Sequence, residues 1–409
     1  MSIRPIVLLC TFILFSQILL ADNLCPNALP EDKMIKAVDL RSEMGPLRDQ
    51  DSIGWCYGFT SADLLTHYLY KTRAIEVIRP DRNADYRSGK FAVSAVGIST
   101  FFNRMMKGDY LKGVVAKDSN ELAIKYKKNV VAESGLIVEA LNIAKKSGFC
   151  FEKDLPSENF GYVQDSRCAQ KGKCNLDEML KIVFDETDVK TCNSLLKIQK
   201  LFPSLTARTI NTILLFTEKE NAINRLAATA CKKRFSSSFF QKDQPVIKNE
   251  TLNDPKNPKF NSKYQSRTPL ELLETADEAL DKGTPAGIIY FAGFLLNPDE
   301  KKSSPHASSL VGKRFNPKTC EVEYILRNSW GNSCDIYNVE NPNYAKCTND
   351  TRSLANAEII YAKMHACREA NPPIARNPNV LCDSSSGYAY VKKSDLLKNI
   401  YGTTYIKEK

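Results

Sequence analysis

Thirteen cysteines and three histidines are spread over 409 residues, and they bound the chemistry this chain can do. Cys56 sits in Gly54-Trp55-Cys56-Tyr57-Gly58-Phe59, at the start of a segment where Phe59, Ala62, Leu65 and Leu69 recur at helical spacing. A thiol attacks carbonyl carbon as thiolate, and its pKa falls at a helix N-terminus or beside an imidazolium. Position supplies the first condition, and a histidine must supply the second. His67 lies 11 residues further along the same predicted helix, about 16 Å along its axis and out of reach. His365 falls in a cysteine-rich stretch far along the chain. His306, in Pro305-His306-Ala307-Ser308, opens an apolar strand, where a side chain can face a cleft edge. Asn328, in Arg327-Asn328-Ser329-Trp330-Gly331, closes the adjoining strand and could hold the imidazole by a hydrogen bond. Cysteine count alone favours the other reading, in which Cys56 is half of a disulfide or an inert buried thiol.

The surrounding residues turn that balance. The stretch 47–65, LRDQDSIGWCYGFTSADLL, resembles the nucleophile segment of papain-like cysteine peptidases. Gln50 stands six residues before Cys56, the spacing of that family's oxyanion-hole glutamine, and Gly54, the aromatic Tyr57, Phe59 and the hydroxyl of Thr60 follow the pattern. PHASSLVG (305–312) resembles the family's histidine strand, RNSWG (327–331) its Asn-Ser-Trp-Gly motif, and Gly387-Tyr388 with Tyr390-Val391 a late strand. Glu133-Ser134-Gly135 resembles the glycine pair that binds the substrate backbone. The order Gln, Cys, His, Asn is the family's order. By this resemblance Cys56 is the nucleophile, His306 the base, Asn328 its orienter, Gln50 the oxyanion donor and Trp330 a shield over the His–Asn bond. Gly135, Ala307 and Ile289 are then expected to contact substrate, the last two as walls of the main specificity pocket.

Departures from the family pattern accompany the match. Ile53 replaces a cysteine of a local disulfide, Trp55 replaces a small residue and is expected to crowd the edge of the site, and Gly58 stands where alanine is usual. His306 follows Cys56 by 250 residues, against about 130–150 in the family signature. The excess matches a lysine-rich stretch, 165–267, that carries four cysteines. No long pro-region separates the signature from the signal segment, so inhibition by an N-terminal propeptide is not expected.

The elements that must position these residues are partly legible. Residues 37–50 read as extended chain and turn, 135–148 as a helix with glycine at both ends, Asn175 as the start of another with Glu178 as capping partner, and 206–232 as a further helix. Residues 236–266 read as loop, rich in Pro, Asn and Ser. Thr268, Pro269, Glu271 and Gly283 bracket a helix with a capping box. Strands are expected over 286–295, 306–315, 320–330 and 387–396.

Composition bounds the rest. With 43% hydrophobic and 25% charged residues the chain reads as globular. A formal charge of +10 is carried by dispersed lysines, which does not predict nucleic-acid binding. Arg4 followed by the apolar run 6–20 and Leu19-Leu20-Ala21 reads as a cleaved secretory signal, residues 1–21, with no membrane span after its removal. Cysteine usage fits an oxidising compartment, and the spacings lack the C-x-x-C pairs of zinc sites. Asn249 and Asn349 stand in N-x-T sequons.

The expectation is therefore an α+β chain with a papain-like two-domain fold. A lead-in of 22–36 precedes a helical left domain at 37–164. A helical, cysteine-containing insertion covers 165–267. A β-barrel-like right domain covers 268–409 and contains a second insertion at 333–385. The expected activity is hydrolysis of peptide or protein substrates through a cysteine acyl-enzyme, without metal or organic cofactor, after export to an extracellular, periplasmic or lysosomal compartment. Other readings are an inactive papain-like binding module, a Cys–His hydrolase of cell-wall peptides, and a transglutaminase-like acyl transferase, which would want Asp at position 328.

Overall fold

A computed structural model of the chain describes residues 25–26, 28–50, 54–72, 89, 91–103, 135–157, 195–196, 198–199, 202–217, 219–231, 246–252, 265–298, 305–331, 333–339, 341–343, 357–372 and 374–407. The expected signal segment, Ile53, Glu133, Ser134, the helix expected from Asn175 and the Asn349 sequon lie outside these residues.

Helices are α1 (Pro30–Lys33), α2 (Cys56–Lys71), α3 (Ile137–Ser147), α4 (Ala207–Leu215), α5 (Lys219–Ala230), α6 (Pro269–Asp281), α7 (Ala357–Ala370) and α8 (Lys393–Asn399). Strands are β1 (Val38–Asp39), β2 (Val246–Leu252), β3 (Gln265–Arg267), β4 (Ala286–Phe291), β5 (Pro305–Asn316), β6 (Glu321–Arg327), β7 (Asn338–Val339), β8 (Ile374–Ala375), β9 (Val380–Cys382), β10 (Ala389–Lys392) and β11 (Ile400–Lys407). One mixed sheet, almost wholly antiparallel, runs β3-β2-β11-β4-β5-β6-β10-β9, with β1 paired to β5 and only β2–β3 parallel.

Helix α2 is buried on nearly every side, from Tyr57 through Tyr70 with Asp63 the main interruption, as befits a central rather than a surface helix. Two close approaches permit this. A Cβ on Gly58 would lie 1.9 Å from Ser99 Oγ, so the helical stretch 95–103 can cross there only over glycine. A Cβ on Gly287 would meet Thr60 and Leu64 at 3.0 Å, where α2 lies against β4.

The sheet divides two apolar cores by strand alternation. Ile289 and Ala307 join the core built around Tyr57, Phe59 and Leu65 of α2. Ile288, Tyr290 and Leu310 join the core beneath α6, with Leu272, Leu273, Ala276 and Leu280. The α6 cap is formed as its sequence requires: Thr268 Oγ1 accepts from the Glu271 N–H, and Glu271 Oε2 accepts from the Thr268 N–H at 2.7 Å. Such a cap contributes about 1 kcal/mol. Disulfides Cys25–Cys320, Cys150–Cys231 and Cys334–Cys382 staple the fold.

The expected loop at 236–266 contains strand instead. Residues 246–252 pair antiparallel with the C-terminal strand β11, Val246 opposite Lys407 and Thr251 opposite Gly402. Only Thr251 of β2 is fully buried, so the apolar alternation that reveals a strand is missing, and pairing is decided by the partner edge. Asn249 of the sequon lies inside this strand, its Oδ1 accepting from Thr404 Oγ1 at 2.6 Å. The single helix expected over 206–232 is two, α4 and α5, and the strand expected over 387–396 ends at Lys392, where α8 begins.

Candidate active site

Helix α2 starts at Cys56, with Trp55 as its N-cap residue, whose side chain makes no capping hydrogen bond. Cys56 is partly exposed as a residue while its sulfur is surrounded by protein, and it is the free cysteine among the described residues. It hydrogen-bonds to the backbone of Ala307, as well as to the Tyr57 and Cys56 backbone. The thiol therefore reaches β5 at the peptide joining His306 to Ala307. Burial pushes the Cys56 thiol up to about 11, against the lowering effect of these backbone donors.

His306 is the second residue of β5 and is buried. Its Nε2 lies 2.7 Å from Asn328 Oδ1. An amide oxygen only accepts, so Nε2 carries the proton and Nδ1 is the basic nitrogen of the neutral ring. Burial pushes the imidazole down to about 4, partly offset by the Asn328 bond. Thiol and imidazole, taken singly, both rest uncharged at neutral pH. A negative charge on one is favoured only when the other carries the positive charge.

Asn328 is held on every side. Its Oδ1 also accepts from Ser308 Oγ at 3.1 Å, and Ser308 Oγ lies 2.9 Å from the Tyr290 hydroxyl. Its Nδ2 donates to the Tyr337 hydroxyl at 2.8 Å. The Trp330 indole lies beside the imidazole, ring centroids 5.0 Å apart, and Tyr337 follows at 5.8 Å from the indole.

Gln50 is buried and joined to the same loop. Its N–H donates to the Ser329 carbonyl at 2.8 Å, and Ser329 Oγ donates to its Oε1. Residues 48–50 and 329–331 run antiparallel, with Asp49 bridged to Trp330 and the Gly331 N–H donating to the Arg48 carbonyl at 3.2 Å. Gly331 has φ +82, and a Cβ there would press on Asp49 Oδ2 at 3.1 Å, which explains the glycine that ends RNSWG.

The expected site residues are thus placed as follows. Cys56, His306, Ala307, Asn328, Trp330 and, through Ser329, Gln50 converge on the start of β5. Ile289 is the cross-strand partner of Ala307 and is buried. Gly135 lies against aromatic rings. A Cβ there would sit 2.8 Å from Phe102 and 2.9 Å from Tyr57, so any larger residue would require these rings to shift. Trp55, expected to crowd the site, is fully buried and packs into the α2 core with Tyr57 and Phe59.

Sequence reasoning missed Tyr290, Ser308, Tyr337 and Tyr401. Ser308 follows His306 by two residues on one strand face, a period-2 signal that was available. Tyr337 follows no spacing rule. Tyr401 sits at a register shift between β11 and β4, the kind of bulge that re-aims a side chain. Its ring lies 5.0 Å from Phe291, and burial and then the Cys56 charge push its hydroxyl pKa up. Among the described residues no cluster suited to a metal ion is found, and no helix is long and apolar enough to cross a membrane.

No model of a known protein family matches the chain, and no curated protein does. Two solved structures resemble it at 12% identity: one bearing on antibody cross reactivity between the mite allergens Blo t 1 and Der p 1, with TM-score 0.35 over 95% of this chain and 81% of that one; and pepW from lactobacillus rhamnosis, with TM-score 0.37 over 96% and 84%. At such TM-scores neither likeness carries weight, and the functional reading rests on the site.

Proposed function

We propose that this chain is a secreted cysteine peptidase with a papain-like arrangement, in which a helical part carries Cys56 and a sheet, to which 38–39 and 246–267 also contribute strands, carries His306 and Asn328. The observation that carries the reading is the His306 Nε2 to Asn328 Oδ1 contact at 2.7 Å, beside a thiol held on the Ala307 amide. His306 Nδ1 takes the thiol proton as Cys56 Sγ bonds to the scissile carbonyl carbon. The carbonyl oxygen becomes an oxyanion, met by the Cys56 N–H and the Gln50 side-chain amide. Collapse of this intermediate breaks the C–N bond, and His306 returns the proton to the leaving amine. Water, deprotonated by His306, then hydrolyses the thioester and frees Cys56. Trp330 keeps water from the His306–Asn328 bond. Of the residues expected to contact substrate, Ala307 and its cross-strand partner Ile289 are buried near the start of β5, and Gly135 is packed against Phe102 and Tyr57. The three disulfides support export to an oxidising compartment.

Alkylation by iodoacetamide tests the centre of this reading. Cys56 is expected to react rapidly near neutral pH and much more slowly in His306→Ala. Equal, slow labelling of both proteins would overturn the peptidase assignment. Incubation with denatured protein in parallel with peptidoglycan then separates a peptidase from a cell-wall peptide hydrolase: release of peptides from the protein alone is expected.

A further inference from the structure

We propose that Tyr337 is a positioning residue for this site, its hydroxyl giving the buried Asn328 amide N–H a partner and so supporting the orientation in which His306 carries its proton on Nε2. The inference rests on the peptidase reading and gives a task to the cysteine-rich segment 333–385.

Asn328 is 2% exposed, so each polar atom of its amide needs a partner inside the protein. With Oδ1 toward His306 and Ser308, Nδ2 faces the Tyr337 hydroxyl at 2.8 Å. In this orientation every partner is matched, and the imidazole holds its proton on Nε2. The reversed orientation presents Nδ2, a donor, to His306. It is compatible only with a neutral ring protonated on Nδ1, which cannot take a proton from Cys56 there. The Ser308 and Tyr337 hydroxyls can each meet either orientation by rotating, so the two orientations are separated when the Tyr337 oxygen is removed. Without the Tyr337 hydroxyl, the productive orientation strands a buried N–H, whereas the reversed one strands a carbonyl oxygen, the less costly loss. Removing one oxygen atom therefore tilts the amide toward the wrong tautomer.

The phenol is held where this role demands. The Tyr337 N–H donates to the Cys334 carbonyl at 3.0 Å, and the Arg376 N–H donates to the Tyr337 carbonyl at 2.8 Å. Cys334 is disulfide-bonded to Cys382, and β7 begins at the next residue, Asn338, paired to Ala375 of β8. Tyr337 is 2% exposed.

The test uses the full chain, with imidazole 15N spectra and the pH profile of Cys56 alkylation by iodoacetamide. Only three histidines are present, so the His306 signals can be assigned. In the unsubstituted protein His306 is expected to be protonated on Nε2 when neutral. Tyr337→Phe should move part of the population to the Nδ1 form and slow alkylation near neutral pH by about tenfold. In an Asn328→Ala background the Tyr337→Phe change should have no further effect on the alkylation profile. A neutral His306 protonated on Nδ1 in the unsubstituted protein overturns the inference even if the variant fails to fold. So does a Tyr337→Phe profile matching the unsubstituted one, or an equal loss in both backgrounds, whatever happens to the melting temperature. If Cys56 in the unsubstituted protein reacts no faster than a free thiol, the peptidase reading falls and this inference with it. A fast unsubstituted protein matched by Tyr337→Phe overturns this inference alone.

Discussion

Arg327 Nε lies 2.9 Å from Asp63 Oδ2, across 264 residues of sequence. Asp63 is on the Cys56 helix, about two turns beyond the thiol, and Arg327 immediately precedes Asn328. The same carboxylate receives Arg48 at 2.5 Å, and Arg48 lies two residues before Gln50. One carboxylate thus ties together the three segments that carry Cys56, Gln50 and Asn328. Burial alone would raise the Asp63 carboxyl, but the Arg327 and Arg48 charges outweigh it and hold the group below the usual carboxylate range. Arg327 also donates to the Gly45 carbonyl at 3.0 Å and the Tyr388 hydroxyl at 2.9 Å, so its buried N–H groups are largely matched.

Replacing Asp63 by Asn keeps the shape and removes the charge. Two buried guanidinium groups would then face each other with Glu152, 2.7 Å from Arg48, as the remaining carboxylate. Loss of one partner in such a network costs about 3–5 kcal/mol. Denaturant unfolding of Asp63→Asn should show a loss of that order. A change under about 1 kcal/mol would mean that the network holds the segments together less than its geometry implies.

The same burial that keeps His306 neutral makes stability depend on pH. Adding a proton to the neutral ring leaves an uncompensated imidazolium inside the protein. The unfolded chain accepts that proton near 6.5, the folded site only near 4. The unfolded state therefore binds more protons between these values, and stability falls as pH drops through the window. The whole loss is about 3 kcal/mol, approached near the lower value. Thermal midpoints measured from pH 7 to pH 4 should decline more steeply for the unsubstituted protein than for His306→Gln. Parallel curves would show that His306 is protonated as easily in the folded chain as in the unfolded one.

How much of this was legible in the sequence varies with the kind of signal. The apolar recurrence of Phe59, Ala62, Leu65 and Leu69 announces α2, and Thr268 with Glu271 announces α6, because both signals are local. Strand β2 is illegible because its side chains are mostly polar and its pairing belongs to β11, far away in sequence. The direction of Trp55 could not be read either: an indole beside a nucleophile can turn inward or outward, and only the surrounding core decides. Tyr337 is the extreme case. Nothing in Asp335-Ile336-Tyr337 marks that tyrosine, because its partner is an amide nine residues earlier, brought to it by the fold.

Gly58, a departure from the family pattern, is explained by helix crossing. Alanine there would place its Cβ 1.9 Å from Ser99 Oγ and 3.3 Å from the Ala95 carbonyl oxygen. Ser99 Oγ already donates to that carbonyl at 2.9 Å, so the hydroxyl cannot move without losing a bond. Gly58→Ala should cost about 1–3 kcal/mol by overpacking. Adding Ser99→Ala removes the clashing oxygen and should recover a large part of the loss, a coupling that a double-mutant cycle in denaturant reads directly. Strictly additive losses would place the strain elsewhere.

Gln50 offers the sharpest separation between binding the thiol and serving the reaction. Attack on a carbonyl develops an oxyanion, whereas displacement of iodide from iodoacetamide develops none at the acyl oxygen. A residue that stabilises the oxyanion should matter to the first reaction and hardly to the second. The Gln50 oxygen is engaged by Ser329, which turns the amide so that Nε2 is the end able to meet an oxyanion. Gln50→Ala is therefore expected to lower kcat for peptide hydrolysis by about 10²–10³, with KM little altered and the alkylation rate of Cys56 within about twofold of the unsubstituted protein. Gln50→Glu, which keeps an acceptor for Ser329 but no side-chain donor, should fall with it. If alkylation and hydrolysis decline together in both variants, Gln50 acts by supporting the 48–50 and 329–331 pairing rather than by meeting the oxyanion.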